Sequence, residues 1–315
     1  MTGSCVGGQS TEDTRFSDLY RFNRDRVNPL TIPRIMANAG ASYISTEFGI
    51  TGSAYTVSTA YSSSNHAHWP GVLDGARGPC GVGITGGSEA PFSFGFLKAW
   101  EAMRVVAPDT CRPFRPFSRE RKGMILGEGG GMLVLEPLEA ASARGASIYA
   151  EIVGFGMSSD ANDITQPSAE GPARAIRSAL RDAEVQADCV GYINAHGTGT
   201  PSNDCTETTA IRAVFGAHAD KLAVSSTKSM HGHGLGAAGA LEAAATALAL
   251  RNGILPPTAN FTEPDPECDL DIIPNQARSS KAEYALSNSF AFGGLNAVLL
   301  FRRFDGQQCC TKSKG

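Results

Sequence analysis

The sequence predicts a layered α/β fold made of two similar halves, and three observations support this. Segments typical of strands and of helices alternate along the 315 residues, which is the pattern of sheets covered by helices. A strand-to-helix junction at residues 56–66 has a fainter counterpart at residues 223–227. The composition, 42% hydrophobic and 18% charged, is that of a globular protein with a sizeable core.

The first segment, residues 1–30, is rich in glycine and charge and is expected to be mostly loop, with a short helix near residues 16–22. Thr31 suits the N-cap of a following helix, which should run towards Ile44. Gly49 is expected to end that helix, because glycine is the usual residue just past a helix C-terminus.

Residues 54–60 organise the rest of the chain. These apolar β-formers predict a strand, and the hydroxyl side chains that follow suit the start of a helix. Tyr61 is therefore expected at the turn between strand and helix, where a side chain faces a cleft beside free helical N–H groups. Enzymes place nucleophiles at such turns. Pro70 predicts that the helix is kinked or short, because an interior proline removes a hydrogen bond.

The remaining elements follow from apolar periodicity and from the positions of glycine. The predicted strands are 80–85, 126–136, 147–155, 190–195, 222–226, 284–290 and 295–301. The predicted helices are 92–103, 139–144, 171–184, 200–215 and 234–251. We divide the chain into a first half at residues 1–146, a second half at residues 147–303 and a tail at residues 304–315.

Composition excludes several classes of protein. The net charge of −4 and the absence of a basic run argue against a nucleic-acid partner. The longest Ala/Leu-rich run, residues 237–250, is too short to span a membrane and is interrupted by Glu242. The eight cysteines are irregularly spaced, no secretory leader precedes them and no CxxC pair occurs. We therefore expect reduced thiols, no metal site and a cytoplasmic location.

Two histidines are the strongest candidates for catalysis. His196 follows a predicted strand and His233 precedes a predicted helix, and both are flanked by glycines. Neutral imidazoles in a shared cleft can donate hydrogen bonds to a developing oxyanion. The glycines near His233 also resemble a phosphate loop, but no Gly-Lys-Ser/Thr follows them. His231 is expected to be exposed.

Lys228, Glu207 and Asp204 lie close to these histidines in the sequence. A buried Lys–Glu pair would orient an imidazole. The alternative is a set of surface salt bridges, and spacing alone favours that alternative.

Four ordered strings carry a family resemblance: VSTAYSSSNHA, NAHGTGTPSNDCTE, SSTKSMHGHGLGAAGALEA and SNSFAFGGLNA. They are similar to the signature segments of β-ketoacyl-acyl-carrier-protein synthases, the decarboxylating condensing enzymes. The similarity extends from Gly3 to Phe301. Two further segments, GGSEAPFSFGFLKAWEAMRV and RPFSRERKGMILGEG, resemble most the rhizobial nodulation protein E branch, next to the elongating type II synthases.

The resemblance implies a thiolase-like αβαβα fold of two pseudo-equivalent halves, and the condensation of acyl and malonyl thioesters in fatty acid biosynthesis, including Nod-factor acyl chains. It also implies roles for individual residues. Position 61 would carry the acyl group, with main-chain donors at 61 and 292 forming the oxyanion hole. His196 and His233 would stabilise the enolate, and Lys228 and Glu207 would form a supporting ion pair. The other assigned residues are Thr198 and Thr200 for the phosphopantetheine arm, Phe292 as the gate and Asp204 at a structural ion site.

The resemblance further implies acyl carrier protein as the partner, no cofactor beyond the carrier's phosphopantetheine, and a homodimer or a heterodimer with an intact synthase. The sequence departs from the family in two ways. Tyr61 replaces the family's cysteine, and a phenol is about thirtyfold less ionised than a thiol at neutral pH. The family's first strand-and-helix portion has no match, so we expect an N-terminally truncated chain.

These departures leave three hypotheses open. The first is a family member whose condensation is weak or absent, with malonyl decarboxylation partly retained. The second is a non-catalytic or decarboxylase-only partner subunit that binds acyl carrier protein. The third is a degenerate gene fragment that folds poorly.

Overall fold

The computed structural model describes residues 1–77, 81–108 and 114–306, and for residues 73–77 it describes the backbone. The strands are β1 (Thr2–Gly3), β2 (Thr56–Val57), β3 (Gly83–Glu89), β4 (Gly129–Leu135), β5 (Glu151–Ser159), β6 (Val190–Asn194), β7 (Ala223–Ser225), β8 (Ile254–Leu255), β9 (Asp271–Ile272), β10 (Arg278–Ser279), β11 (Tyr284–Ala291) and β12 (Leu295–Arg302). The helices are α1 (Gln9–Arg21), α2 (Thr31–Ile35), α3 (Ala39–Glu47), α4 (Ser63–Arg77), α5 (Phe94–Met103), α6 (Leu138–Ala143), α7 (Glu170–Asp182), α8 (Pro201–Phe215), α9 (Lys228–His231) and α10 (Ala238–Asn252).

The same strand order occurs in both sheets that surround the core. The first sheet has the order β2-β1-β3-β4, and the second contains β7-β6-β11-β12 between β9 and β5. In each set the first three strands are parallel and the fourth is antiparallel to the third. The two halves are therefore topologically equivalent, and the layered thiolase-like fold is confirmed.

Helices α4 and α10 lie between the two sheets, and each contacts strands of both. Helices α7 and α8 pack together, with α7 against β5 and β12. The apolar face predicted for residues 171–184 is confirmed, because Ala173, Ile176 and Leu180 are buried. Both junctions between strand and middle-layer helix, after β2 and after β7, therefore lie at corresponding places in the two halves.

The first sixty residues differ most from the prediction. The segment expected as loop holds α1, whose side chains are not buried, and the two-residue strand β1. The single helix expected from Thr31 to Ile44 is two helices, because Met36 is extended with ψ of 134°. Thr31 is the first helical residue and not the N-cap, which is Leu30. The carbonyl of Ile35 accepts a hydrogen bond from Gly8, which ties the end of α2 to the start of α1.

The strand before Tyr61 is shorter than predicted, Thr56–Val57 instead of residues 54–60. The helix after it is longer than predicted, because α4 continues through Pro70 and has 15 residues in total. Ala67 and His68 on α4 are fully buried, so tertiary packing holds this helix despite the proline. Residue 80, where we expected the next strand to begin, lies outside the described residues, and β3 begins at Gly83.

Candidate active site

The turn that carries Tyr61 is a tight elbow between β2 and α4. Ala60, directly before it, has φ of +49°, a left-handed conformation that costs energy for a residue with a Cβ. Ser62 and Ser63 donate side-chain hydrogen bonds to the carbonyls of Thr59 and Ala60, at 2.8 and 2.5 Å. These bonds stabilise the elbow, but the hydroxyls donate to carbonyls before the helix instead of accepting from its first N–H groups, as the expected N-cap would.

His196 lies in the loop after β6, and a buried carboxylate fixes that loop. The oxygens of Glu207 accept the backbone N–H groups of His196 at 2.9 Å and of Gly197 at 2.8 Å. Asn288 donates its side-chain amide to the same carboxylate at 3.0 Å. Glu207 therefore positions the His196 backbone.

Lys228 pairs with Glu242 of α10, and the expected direct ion pair with Glu207 is wrong. The ammonium of Lys228 also lies 3.3 Å from Nδ1 of His196. Lys228 and Glu242 are fully buried and Glu207 is 1% exposed, so the surface salt-bridge alternative is also wrong. Helix α10 brings Glu242 to the lysine, whereas Glu207 is engaged by backbone N–H groups.

The hydrogen bonds fix the tautomers of both histidines. An ammonium has only protons to give, so Nδ1 of His196 accepts and its Nε2 carries the proton. The backbone N–H of Leu235 donates to Nδ1 of His233 at 3.0 Å, which likewise places the proton on Nε2. Nε2 of His233 is buried and has no partner among the described residues. Each imidazole is therefore a hydrogen-bond donor at Nε2.

Burial keeps the site's histidines uncharged. Desolvation, reinforced by Lys228, lowers the pKa of both His196 and His233 well below 6.5. Burial raises the pKa of Glu242 to about 7, although Lys228 acts in the opposite direction. Burial likewise raises the pKa of the Tyr61 phenol, so that it stays protonated at neutral pH.

The Tyr61 ring packs beside both imidazoles, whose own ring centroids are 5.4 Å apart. Its centroid lies 4.8 Å from the ring of His233, edge to face, and 6.4 Å from the ring of His196, stacked. The Phe292 ring lies 5.4 Å away and itself stacks on Trp100. Tyr61 is only 6% exposed, so this aromatic side chain forms the end wall of the site.

A cavity of about 470 Å³ opens onto these rings, a volume suited to a small-molecule group. The predicted site residues on its wall are Tyr61, His196, His233, Glu207, Thr198, Thr200 and Phe292. The hydroxyls of Thr198 and Thr200 are 2.9 Å apart. The structure therefore brings these seven predicted residues together at one cavity.

Asp204 lies behind the cavity wall, where its partner is Arg121. Its Oδ2 is 3.4 Å from Nε of Arg121, and its carboxylate accepts the N–H groups of Phe117 and Gly199. Burial raises the pKa of Asp204 to about 6. Asp204 thus fixes the loop that carries Thr198 and Thr200.

Sequence reasoning missed Glu242, Asn288 and Arg121. The sequence did contain a sign of the role of Glu242, because a single carboxylate within an Ala/Leu-rich helix is expected to need a buried partner. Asn288 lies within one of the four strings, but Arg121 is one of several arginines in a charged segment. His231 is exposed, as predicted.

Other sequence predictions concern membranes and cysteines. Within residues 1–77, 81–108 and 114–306, no helix has the length and apolar character needed to span a bilayer. The described cysteines, Cys5, Cys189, Cys205 and Cys268, are free thiols. Residues 80, 111, 309 and 310, which are also cysteines, lie outside the described part of the chain.

Comparison with known protein families gives two adjoining matches. Residues 1–141 match the N-terminal domain of β-ketoacyl synthase, and residues 149–262 match its C-terminal domain. Nodulation protein E of Rhizobium sp. (strain N33) is 50% identical over 300 residues, which cover 95% of this chain and 74% of the relative. The 3-oxoacyl-[acyl-carrier-protein] synthase 2 of Staphylococcus aureus (strain COL) is 42% identical over 307 residues, 96% of this chain and 74% of that protein.

Solved structures give the same result. The ishigamide ketosynthase/chain length factor superposes with a TM-score of 0.91 at 37% identity, covering 96% of this chain and 74% of that one. A type II polyketide ketosynthase, bound to a hexaketide and in complex with its acyl carrier protein, superposes with a TM-score of 0.88 at 32% identity. That match covers 94% of this chain and 75% of the other.

Proposed function

The chain belongs to the β-ketoacyl synthase family, and on that premise we propose that it binds thioesters of acyl carrier protein, decarboxylates the malonyl group and transfers acyl chains poorly or not at all. The observation that carries this proposal is the pair of neutral imidazoles, His196 and His233, that present Nε2–H groups beside Tyr61. The site has two hydrogen-bond donors for an oxyanion, but it has neither a readily ionised nucleophile at position 61 nor a base that could deprotonate Tyr61.

Decarboxylation needs only what these donors supply. The bond between the malonyl carboxylate and the α-carbon breaks, carbon dioxide leaves, and the electron pair passes to the thioester oxygen as an enolate. The Nε2–H groups of His196 and His233 donate to that oxygen and stabilise its charge in a buried site. Protonation of the α-carbon then yields an acetyl thioester.

Acyl transfer requires a deprotonated Tyr61, and the surroundings of Tyr61 disfavour this form. The phenol must lose its proton to attack a thioester, and burial raises its pKa. Neither imidazole can accept that proton at Nε2, because Nε2 of each already carries one. The ring also occupies the end of the cavity where an acyl chain would lie.

The cavity wall supports thioesters on a carrier as the ligand. The neighbouring hydroxyls of Thr198 and Thr200 can bond the amides of a phosphopantetheine arm. Phe292 lies between the cavity and Trp100, where rotation of its ring would change access to Tyr61.

Two assays on the purified protein test this proposal. In the first, the protein is incubated with malonyl-acyl carrier protein and the release of carbon dioxide is measured. In the second, it is incubated with acyl-acyl carrier protein and its mass is measured to detect an acyl adduct. We expect carbon dioxide and no acyl adduct. The control variant His233→Ala should release carbon dioxide about 10²–10³-fold more slowly, since one donor is lost. An acyl group on Tyr61 would contradict the proposed block to transfer, and wild-type release no faster than that of His233→Ala would contradict decarboxylation.

A second candidate is a partner subunit that pairs with an intact synthase. It is favoured by the enclosed Tyr61 ring and by similarity to a ketosynthase/chain length factor. Co-expression with a synthase that has its cysteine should then yield a stable heterodimer. A chain that stays a homodimer in such a mixture would exclude this role.

A further inference from the structure

Two cysteines outside the cavity are in contact with each other. Cys205 lies in the first turns of α8, and Cys268 lies in the turn that begins at Asp265. Their sulfur atoms are 3.9 Å apart. Cys268 is buried at 3% exposure, whereas Cys205 is partly exposed. A small solute can therefore reach the thiol of Cys205, whereas the thiol of Cys268 is shielded from solvent.

An arginine lies against the partly exposed thiol. A terminal nitrogen of Arg121 donates to Sγ of Cys205 at 3.0 Å, and a positive charge there favours the thiolate, which is the reactive form. Burial acts in the opposite direction and raises the pKa of both thiols, and for Cys205 the carboxylates of Glu267, 3.8 Å from its sulfur, and Asp265 add to this rise in pKa. Only Cys205 accepts a direct bond from Arg121 and is partly exposed, so it is the thiol that reacts first.

We propose that Cys205 and Cys268 form a redox modification site, which hydrogen peroxide converts into an intramolecular disulfide. The Cys205 thiolate attacks one peroxide oxygen, the O–O bond breaks, and Cys205 becomes a sulfenic acid while the other oxygen leaves as water. The sulfur of Cys268 then attacks the Cys205 sulfur and displaces its hydroxyl as a second water. The two thiols lose two electrons and two protons, and the peroxide is reduced.

The geometry requires only a small movement. A disulfide has a sulfur–sulfur distance of about 2.05 Å, so the two atoms must approach by roughly 1.9 Å from their present 3.9 Å. Cys268 lies in a turn and not in a strand or helix, so rotation of the two side chains with a small adjustment of the turn can supply this.

A metal ion is the competing occupant of this place. Asp265 and the two sulfurs lie within 4.8 Å of one another, close enough to share an ion. Arg121, however, already pairs with Asp265 and bonds to Cys205. A divalent cation would have to displace this guanidinium, whereas a disulfide leaves the pair with Asp265 intact.

The bond would also act on the rest of the molecule. It would close a loop between residues 63 positions apart and fix α8 to the turn at Asp265. Such a cross-link restricts the unfolded chain, and for a protein of this size we expect the melting temperature to rise by roughly 5–10 °C. Arg121 links the same place to Asp204 and so to the cavity wall.

In the experiment, the reduced protein is treated with hydrogen peroxide and its remaining thiols are blocked under denaturing conditions. Its peptides are then mapped by mass spectrometry. We expect a peptide that links Cys205 to Cys268 and the higher melting temperature. Cys205→Ser should lose both results. Cys189→Ser, which removes an exposed cysteine elsewhere, should keep both.

Three outcomes of the peroxide experiment would overturn the proposal. They are the absence of the linked peptide after peroxide, linkage of Cys205 to a different cysteine, and no change in melting temperature on oxidation of the wild type. The reduced protein is also titrated with zinc. Stoichiometric binding that is lost in Cys205→Ser would assign the two thiols to a metal site instead.

Discussion

Tyr61 is the side chain on which the proposed separation of decarboxylation from acyl transfer depends. Its ring lies against two histidines whose tautomers are set by Lys228 and by the Leu235 backbone. Those bonds make the imidazoles donors, which suits enolate stabilisation and leaves no base for a phenol. In a thiol enzyme the same donors would serve condensation, because a thiol ionises more readily.

The variant Tyr61→Cys should gain acyl transfer. A thiol near the N-terminus of α4 is partly ionised, and the smaller side chain frees space for an acyl group. We expect an acyl adduct at position 61 and condensation at least 100-fold above the wild type, detected by protein mass and by product analysis. Loss of the ring should lower the free energy of unfolding by roughly 2–4 kcal/mol.

The matched control is Tyr61→Phe, which keeps the ring and removes the hydroxyl. It should resemble the wild type in carbon dioxide release and form no adduct. A folded Tyr61→Cys chain that forms no adduct either would show that Tyr61 is not the sole obstacle to transfer.

Neutral buried histidines also predict acid sensitivity. The folded pKa of His233 lies well below its unfolded value of about 6.5, so the unfolded chain binds more protons as pH falls below 6.5. At pH 5 this costs about 2 kcal/mol of stability for each such histidine. Glu242 and Asp204 have raised pKa values and act in the opposite direction, since their contribution is lost as pH rises towards 7 and 6 respectively.

A comparison of variants isolates the histidine contribution. The difference in free energy of unfolding between pH 8 and pH 5, measured with urea, should be about 2 kcal/mol smaller in His233→Asn than in the wild type. The carboxylates are common to both proteins and cancel. An equal difference in the two proteins would show that His233 is charged in the folded state at pH 5.

At the residue scale, the sequence predicted which residues form the site better than it predicted the ion-pair partner of Lys228. His196, His233 and Tyr61 come together as expected, because each lies in a distinctive glycine- or hydroxyl-rich string. The partner of Lys228 could not be predicted from spacing. It depends on where the fold places α10, which brings Glu242 to the ammonium of Lys228. Glu207 instead accepts backbone N–H groups.

At the element scale, strands with a clear turn beside them were predicted best. The strands β11 and β12 flank the glycine turn at residues 292–294 and were found within one residue. The longer strand β5 was expected at residues 147–155 and lies at Glu151–Ser159, four residues further on. Strand β1 has two residues, too few for a period, and exists because β2 and β3 pair with it on either side. Helix α4 shows the opposite error, since burial between the sheets outweighs the cost of Pro70.

Replacing Pro70 should recover the stability that this proline costs α4. Pro70→Ala restores an N–H that can donate to the carbonyl of His66, so we expect the free energy of unfolding to rise by roughly 1–3 kcal/mol. Urea unfolding measures this. Pro108→Ala is the control, because Pro108 is exposed and lies outside any helix, and it should give no gain. Equal effects of the two substitutions would show that α4 is not strained at Pro70.

At the scale of the whole molecule, the site exists only where the two halves meet. Tyr61 comes from the first half, and both histidines come from the second. Contacts that join α4 to the second half include a hydrogen bond from Ser64 to the carbonyl of Gly236, one from Asn65 to the carbonyl of Ser287, and the stacking of Trp69 on Phe155. A fragment that folded poorly would lose this junction first.

The junction predicts a single unfolding transition. Both tryptophans, Trp69 and Trp100, lie in the first half, so their fluorescence reports on that half and, through the contact of Trp69 with Phe155, on the junction. Far-ultraviolet circular dichroism reports on all helices and strands. If the halves unfold together, the two signals should give coincident urea curves. Separate curves would mean that the halves are independent, and the absence of a cooperative transition would favour the degenerate-fragment hypothesis.

Gly239 of α10 tests whether the junction itself supplies this coupling. A Cβ at Gly239 would lie 2.6 Å from Oδ1 of the buried Asn65, so Gly239→Ala must push α10 away from α4. We expect both urea curves to shift together, with a loss of about 1–3 kcal/mol, although alanine is the better helix former. Gly52→Ala adds the same methyl group in open space and should leave both curves in place. A shift of only the fluorescence curve in Gly239→Ala would show that α4 loosens alone and that the second half does not depend on it.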